Sequence, residues 1–174
     1  MRLTVKTNLA MRVLMFCAVN RDRTVRKCEV AEACNASANH LGVIINQLGH
    51  GGFLETTRGR GGGIRLHRSP REINVGAVFR LFESGLPFAE CFSAAENTCP
   101  IAMTCRLRDA LTRALDAFYR ELDDITLDEL ITGNTGLFSL FDLDVINFPT
   151  CSQAERRAHA RPSLPPLEAG VTIG

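Results

Sequence analysis

Residues 37–67 read SANHLGVIINQLGHGGFLETTRGRGGGIRLH, and within this stretch the hydrophobic period changes from that of a helix to that of a strand. Leu41, Ile44, Ile45 and Leu48 follow one another at steps of three, one and three, the stripe of a helix that buries one face. Ser37 stands where an N-cap belongs, which predicts a helix over about 38–49. Asn35-Ala36-Ser37 makes the turn before it, and Val30, Ala31 and Cys34 place a shorter helix over about 26–34. Two short helices around such a turn are a helix-turn-helix candidate, although any helical hairpin shares that outline. Downstream, Phe53–Thr57 and Ile64–His67 read as short strands. The segment Arg58-Gly-Arg-Gly-Gly-Gly63 between them supplies glycines that permit positive φ in a tight or bulged hairpin.

Arg58, Arg60, Arg65, Arg68 and Arg71 fall within fourteen residues that contain no acid. A solvated hairpin would tolerate such a run. Directly after a helix-turn-helix, a basic wing lying along a DNA backbone explains it better. Charge along the chain points the same way. The net charge is +1, but residues 1–80 carry 13 Lys and Arg against 5 Asp and Glu, a net of +8, whereas residues 81–174 are at −7. Such asymmetry turns the first half toward a polyanion and leaves the second for self-association or sensing.

Working outward, Leu9, Val13 and Phe16 recur at helical spacing over 4–19, with Thr4 able to cap the helix and Asn20 able to end it. Ile73, Val75, Val78, Phe79 and Phe82 predict a helix over Arg71–Glu83, for which Asn74 is an N-cap candidate. The longest predicted helix, Cys105–Asp124, carries a stripe of Leu107, Leu111, Ala114, Leu115, Phe118 and Leu122. That stripe packs within its own domain or pairs with its twin, and binding to two half-sites favours the twin. Thr126 and Glu129 form a capping box for a helical turn ending at Ile131. Beyond Asn147, prolines 149, 162, 165 and 166 mark a tail expected to be disordered. No signal peptide and no apolar run approaching the ~18–20 residues of a membrane helix is visible, so a cytoplasmic protein is expected, without a membrane partner. The expected architecture is mainly α with a small β-hairpin wing. It comprises a DNA-binding domain over 1–83, a loop and dimerisation helix over 84–131, and an extension over 132–174, disordered beyond about 148.

Between the last two long helices lie Cys91, Cys99 and Cys105, spaced C-x7-C-x5-C. Thiolates suit zinc, copper(I) or iron–sulfur clusters. The spacing is too wide for zinc knuckles and lacks the C-x2-C-x2-C run of bacterial ferredoxins. Three thiolates on one loop can hold a cluster with one iron left for another ligand; equally, free cysteines are often buried as small hydrophobes. The total of seven cysteines is odd, and in a reducing compartment metal binding or redox sensing is expected in place of a disulfide framework. Cys28 and Cys34 have no partner at metal spacing and read as structural, and Cys151 sits in the tail. His40, His50, His67 and His159 are scattered, and no phosphate loop or acid–base pair is visible. An enzyme is therefore not expected.

This order of elements resembles the NsrR/IscR/RirA family of iron–sulfur winged-helix transcription regulators. The motifs that carry the resemblance are Met1-Arg-Leu-Thr4 with Ala10-Met-Arg-Val-Leu14, Asn39-His-Leu41 with Ile45-Asn-Gln-Leu48, Gly52-Phe-Leu-Glu-Thr56, and Arg58 to Leu66. Cys91, Cys99-Pro100 and Cys105 complete the set, which covers roughly residues 1–131. The recognition helix and wing are most similar to the NsrR branch, nitric-oxide-sensing repressors. Ala89-Glu-Cys-Phe92 and Thr7-Asn8 are as similar to the iron-responsive RirA branch.

The resemblance implies a homodimer bound to a double-stranded DNA operator, with Cys91, Cys99 and Cys105 ligating a [4Fe–4S] or [2Fe–2S] cluster. Some relatives supply a fourth ligand from an aspartate on the first helix of the partner subunit. Asn8 holds that position here, and a neutral amide is a poorer iron ligand than a carboxylate. Ser37, Asn39 and His40 would read bases, and Arg58, Arg60 and Arg65 would contact phosphates or the minor groove. The signal would be nitric oxide, with iron status, cluster assembly or zinc and thiol oxidation as alternatives.

Overall fold

Helix α1 (Val5–Val19) is apolar nearly all the way round, with Leu9, Ala10, Val13, Leu14, Phe16 and Cys17 all buried. A helix of that kind must be enclosed by other elements, and α1 is the post against which the rest is stacked. The computed structural model describes residues 3–59, 61–85, 87–93 and 95–143. Thr4 caps α1 by accepting a hydrogen bond from the Thr7 amide at 3.2 Å. Asn20 ends the helix and also closes the fold. Its buried side-chain amide donates to the Phe16 carbonyl at 2.9 Å and the Phe141 carbonyl at 2.8 Å.

After α2 (Lys27–Ala33), Asn35 takes a positive φ of 47° to make the turn, a conformation asparagine tolerates better than most residues. Helix α3 (Ala38–His50) then starts at Ser37, whose hydroxyl accepts from the His40 amide at 3.3 Å. Its four apolar positions, Leu41, Ile44, Ile45 and Leu48, are buried as the period requires. Strands β1 (Leu54–Thr57) and β2 (Gly63–Leu66) pair antiparallel, Leu54 opposite Leu66 and Thr57 opposite Gly63. Val25 and Ile64 exchange backbone hydrogen bonds of 2.9 and 2.8 Å, which ties this wing to the α1–α2 connection. Gly63 is required there, because a Cβ would run into the Val25 carbonyl.

The single helix expected over Arg71–Glu83 is divided. A 3-10 turn, Pro70–Glu72, is closed by Glu72 accepting from the Ser69 amide at 3.0 Å. Ile73 is then extended, and helix α4 (Val75–Glu83) begins at Asn74. The physical reason is a long-range pairing. The Val75 amide donates to Ile125 and the Leu127 amide to Ile73, in a bridge of Asn74 with Thr126.

Helix α5 (Arg106–Asp123) follows the cysteine loop, and α6 (Leu127–Ile131) has the capping box read from Thr126 and Glu129. A further helix, α7 (Thr135–Phe141), lies where only an extension was expected, and the edge of its Phe141 ring meets Phe16 at 5.5 Å. The tail expected to be disordered lies outside the described residues. Among the described residues, no helix is long and apolar enough to cross a membrane.

Candidate functional site

Two surfaces carry the candidate residues. On the first, Ser37, Asn39 and His40 are exposed where α3 begins. The Ser37 hydroxyl accepts the cap hydrogen bond from the His40 amide and keeps its own proton to donate, with the exposed Asn39 and His40 beside it in the same turn. On the wing beside them, Arg58 is exposed, and Arg65 pairs with Glu55 across the ladder, with Nε at 3.1 Å and Nη2 at 2.9 Å. An exposed pair of this kind is worth only about 0–1 kcal/mol, so Arg65 can exchange it for a phosphate. Arg60 lies outside the described residues. Arg68 stacks on the Phe53 ring at 5.7 Å, at the base of the hairpin.

The second surface is the loop between α4 and α5. Cys91 sits in a 3-10 turn, Glu90–Phe92. The Glu90 carboxylate accepts from the Thr98 amide at 2.8 Å and the Thr98 hydroxyl at 2.6 Å. These bonds hold the Glu90 carboxyl below its ordinary range, the hydroxyl contributing most. The clip joins the two limbs of the loop at the residues next to Cys91 and Cys99. The Cys99 amide donates to Asn97 Oδ1 at 3.1 Å, and Cys105 is the N-cap residue of α5. All three thiols are free and half-buried. Among the described residues, however, no three His, Cys, Asp or Glu side chains converge to hold a metal ion. The donor set thus suits a thiolate-bound group in kind and number, although the three thiols are not gathered at one point.

The other cysteines are of a different character. Cys17 and Cys34 are buried in the core. Burial pushes the Cys34 thiol up to about 11, against the opposing pull of Arg12, and Cys17 is raised further by burial and by Cys34. Both are protonated at neutral pH and poor ligands. Cys28 is half-buried and disulfide-bonded, and Cys151 lies outside the described residues.

Asn8 and Arg12 are exposed one turn apart on α1, and the Arg12 guanidinium donates to the Cys34 carbonyl at 3.2 Å, at the end of α2. One residue escaped the sequence reading. Glu83, the last residue of α4, accepts from the Thr4 amide and hydroxyl, each at 2.9 Å, and from the buried Thr7 hydroxyl. Partial burial acts to raise its carboxyl, but the bonds from Thr7 and Thr4 prevail and hold it below the ordinary range. The end of the helix that leads into the cysteine loop is thereby fastened to the start of α1. Nothing local in the sequence marks a contact across 79 residues.

A family model described as an iron-dependent transcriptional regulator, Rrf2, matches residues 3–133. The chain is 45% identical over 141 residues to the HTH-type transcriptional regulator NsrR of Geobacillus kaustophilus, covering 80% of this chain and 96% of that one. It is 41% identical over 138 residues to the HTH-type transcriptional repressor NsrR of Streptomyces coelicolor, covering 78% and 92%. Among solved structures, IscR of T. potens superposes with a TM-score of 0.61 at 23% identity, over 75% of this chain and 86% of that one.

Proposed function

The chain belongs to the Rrf2 family of transcriptional regulators, and from that premise we propose a cytoplasmic homodimeric repressor whose iron–sulfur cluster senses nitric oxide. It is a transcription regulator, not an enzyme. The observation that carries the proposal is a juxtaposition within one chain. An exposed α3 face and a basic wing share the fold with three free thiols on the loop that joins α4 to α5.

In this reading Cys91, Cys99 and Cys105 would hold the cluster, with Asn8 of the partner subunit as the candidate fourth donor. When bound, a [4Fe–4S] or [2Fe–2S] cluster would supply iron that can take nitric oxide as a ligand. The chain's own residues explain how the state of the loop reaches DNA. Cys105 is the N-cap residue of α5, so drawing the loop together sets where α5 begins. Glu83 fastens the other end of the segment to α1 through Thr4 and Thr7. Helix α5 has no residue buried within the chain, so its stripe of Leu107, Leu111 and Leu115 is available for the twin subunit. Moving α5 against α1 changes the separation of the two α3 helices, and only one separation fits two half-sites. Ser37, Asn39 and His40 then meet base edges, while Arg58, Arg60 and Arg65 meet the backbone.

The experiment is anisotropy of the full chain, purified without oxygen, on a duplex selected from random DNA. The proposal expects sequence-specific binding that weakens by about tenfold or more as nitric oxide is added, a coupling of ordinary size for an effector. Release by an iron chelator and not by nitric oxide would assign the iron-responsive reading instead. Binding without sequence preference would overturn both.

A further inference from the structure

On α3, one apolar side chain points the wrong way for a protein core. Leu41, Ile44, Ile45 and Leu48 occupy one face and are buried, whereas Val43 is 53% exposed. At 100° per residue, Asn39, Val43, Asn46 and His50 make a stripe centred opposite that buried face, and all four are exposed. Valine is a poorer helix former than alanine or leucine, so neither local propensity nor packing accounts for it there. Beside it, Gly42 has nothing within 4 Å of where a Cβ would stand. A mid-helix glycine costs about 1 kcal/mol relative to alanine, and no protein neighbour here demands it. The α3 surface thus presents one β-branched apolar side chain between two amides, beside a Gly42 open to close approach.

Building on the DNA-binding reading above, we propose that Val43 is a specificity-determining residue that packs against the C5-methyl of a thymine in each half-site. The major groove presents that methyl as its one apolar feature, and small apolar side chains are its usual partners. The β-branched side chain loses little rotamer freedom on contact, because the helix already restricts its χ1. Asn39 and Asn46 flank Val43 by one turn on either side, and each can pair with adenine N6 and N7. From Asn39 to Asn46 the helix advances about 10.5 Å, about three base-pair steps at 3.4 Å each. The occupant is DNA and not a second apolar protein surface because the patch is a single valine between amides. It also lies within residues 1–80, whose net charge is +8.

The test uses the full chain, purified without oxygen, and the duplex selected from random DNA. Each thymine of the half-site is replaced in turn by uracil, which removes only the methyl. For the wild type, one position should lose about fourfold in affinity, the worth of one buried methyl. Val43→Ala should bind the thymine duplex about fourfold more weakly and lose nothing further with uracil there. Val43→Thr, which keeps a methyl and the branched shape, should restore part of the discrimination. Alanine favours helix, so folding does not confound the result. Equal uracil penalties for wild type and Val43→Ala at every position would overturn the assignment while leaving sequence-specific binding intact. Failure to select any sequence would instead overturn the DNA-binding reading on which it rests.

Discussion

Helices α3 and α5 are both amphipathic, and the chain treats them in opposite ways. The apolar face of α3 is fully used, with all four of its core residues buried against α1 and the wing. The apolar stripe of α5 is longer, yet no residue of that helix is buried, and Leu107 is 65% exposed. Near its C-terminal end α5 rests on α4 through Phe79 and Phe118, 6.2 Å apart, and through the Arg80–Asp123 ion pair at 2.5 Å. Toward Cys105 it has little of its own chain beside it. The difference teaches that the helix-turn-helix and wing bury their apolar faces within one chain, whereas the apolar stripe of α5 stays open among the described residues.

The largest expected effect tests this contrast directly. Leu41→Ala should lower unfolding free energy by about 2–5 kcal/mol, the cost of a core cavity. Leu107→Ala should change it by less than about 0.5 kcal/mol in the monomer, as for a surface site. In sedimentation the order should reverse, with Leu107→Ala weakening the dimer and Leu41→Ala altering it only through unfolding. Equal stability losses would break the contrast.

A smaller effect should appear at the seam between the two regions. Gly76 on α4 faces the Asp123 carboxylate so closely that a Cβ would collide with Oδ1. Gly76→Ala should cost about 1–3 kcal/mol by overpacking, read by thermal unfolding, while α3 and the wing keep their spectra. Next comes Glu83. Its folded carboxyl is held below the ordinary value, so its contribution to stability is present above the unfolded glutamate range. That contribution is lost as pH falls through the lower folded value. Glu83→Gln should reduce stability by about 1 kcal/mol at neutral pH and flatten this acid loss, which a pH series of melting curves would show. The smallest effect belongs to the wing. Arg58→Ala should lower the slope of log affinity against log salt by about 1, with no change in preferred sequence.

Much of this was legible in the sequence where local chemistry decides. The period of Leu41, Ile44, Ile45 and Leu48, the cap at Ser37, and the Thr126 and Glu129 box each specify a helix from neighbours in the chain. The glycines before Ile64 specify the hairpin in the same way. What was not legible depends on distant partners. Ile73 leaves the helical path because its carbonyl accepts from the Leu127 amide while the Val75 amide donates to Ile125, and no local signal encodes these bonds. Helix α7 is short, and the burial of Phe141 against Phe16 becomes visible only when α1 is in place, although Asn134 as a cap was a readable hint. At the candidate metal site, spacing identified three free thiols but not their arrangement, because that is set by the Glu90–Thr98 and Asn97–Cys99 hydrogen bonds, which spacing does not encode. Of the candidate DNA-facing residues, Asn39 and His40 were readable from the helix start, whereas Val43 stands out only by its exposure.

The central claim is that the loop is completed by an iron–sulfur cluster and thereby governs the fit to DNA. Its most direct test is the iron and acid-labile sulfide content per chain after purification without oxygen. The wild type should be compared with Cys91→Ala, Cys99→Ala and Cys105→Ala, and with Cys17→Ala and Cys34→Ala as buried controls. The account expects iron and sulfide in the wild type and both controls, and loss of both from each loop variant. A colourless wild type holding zinc or no metal, or a loop variant that keeps its full iron and sulfide, would contradict it.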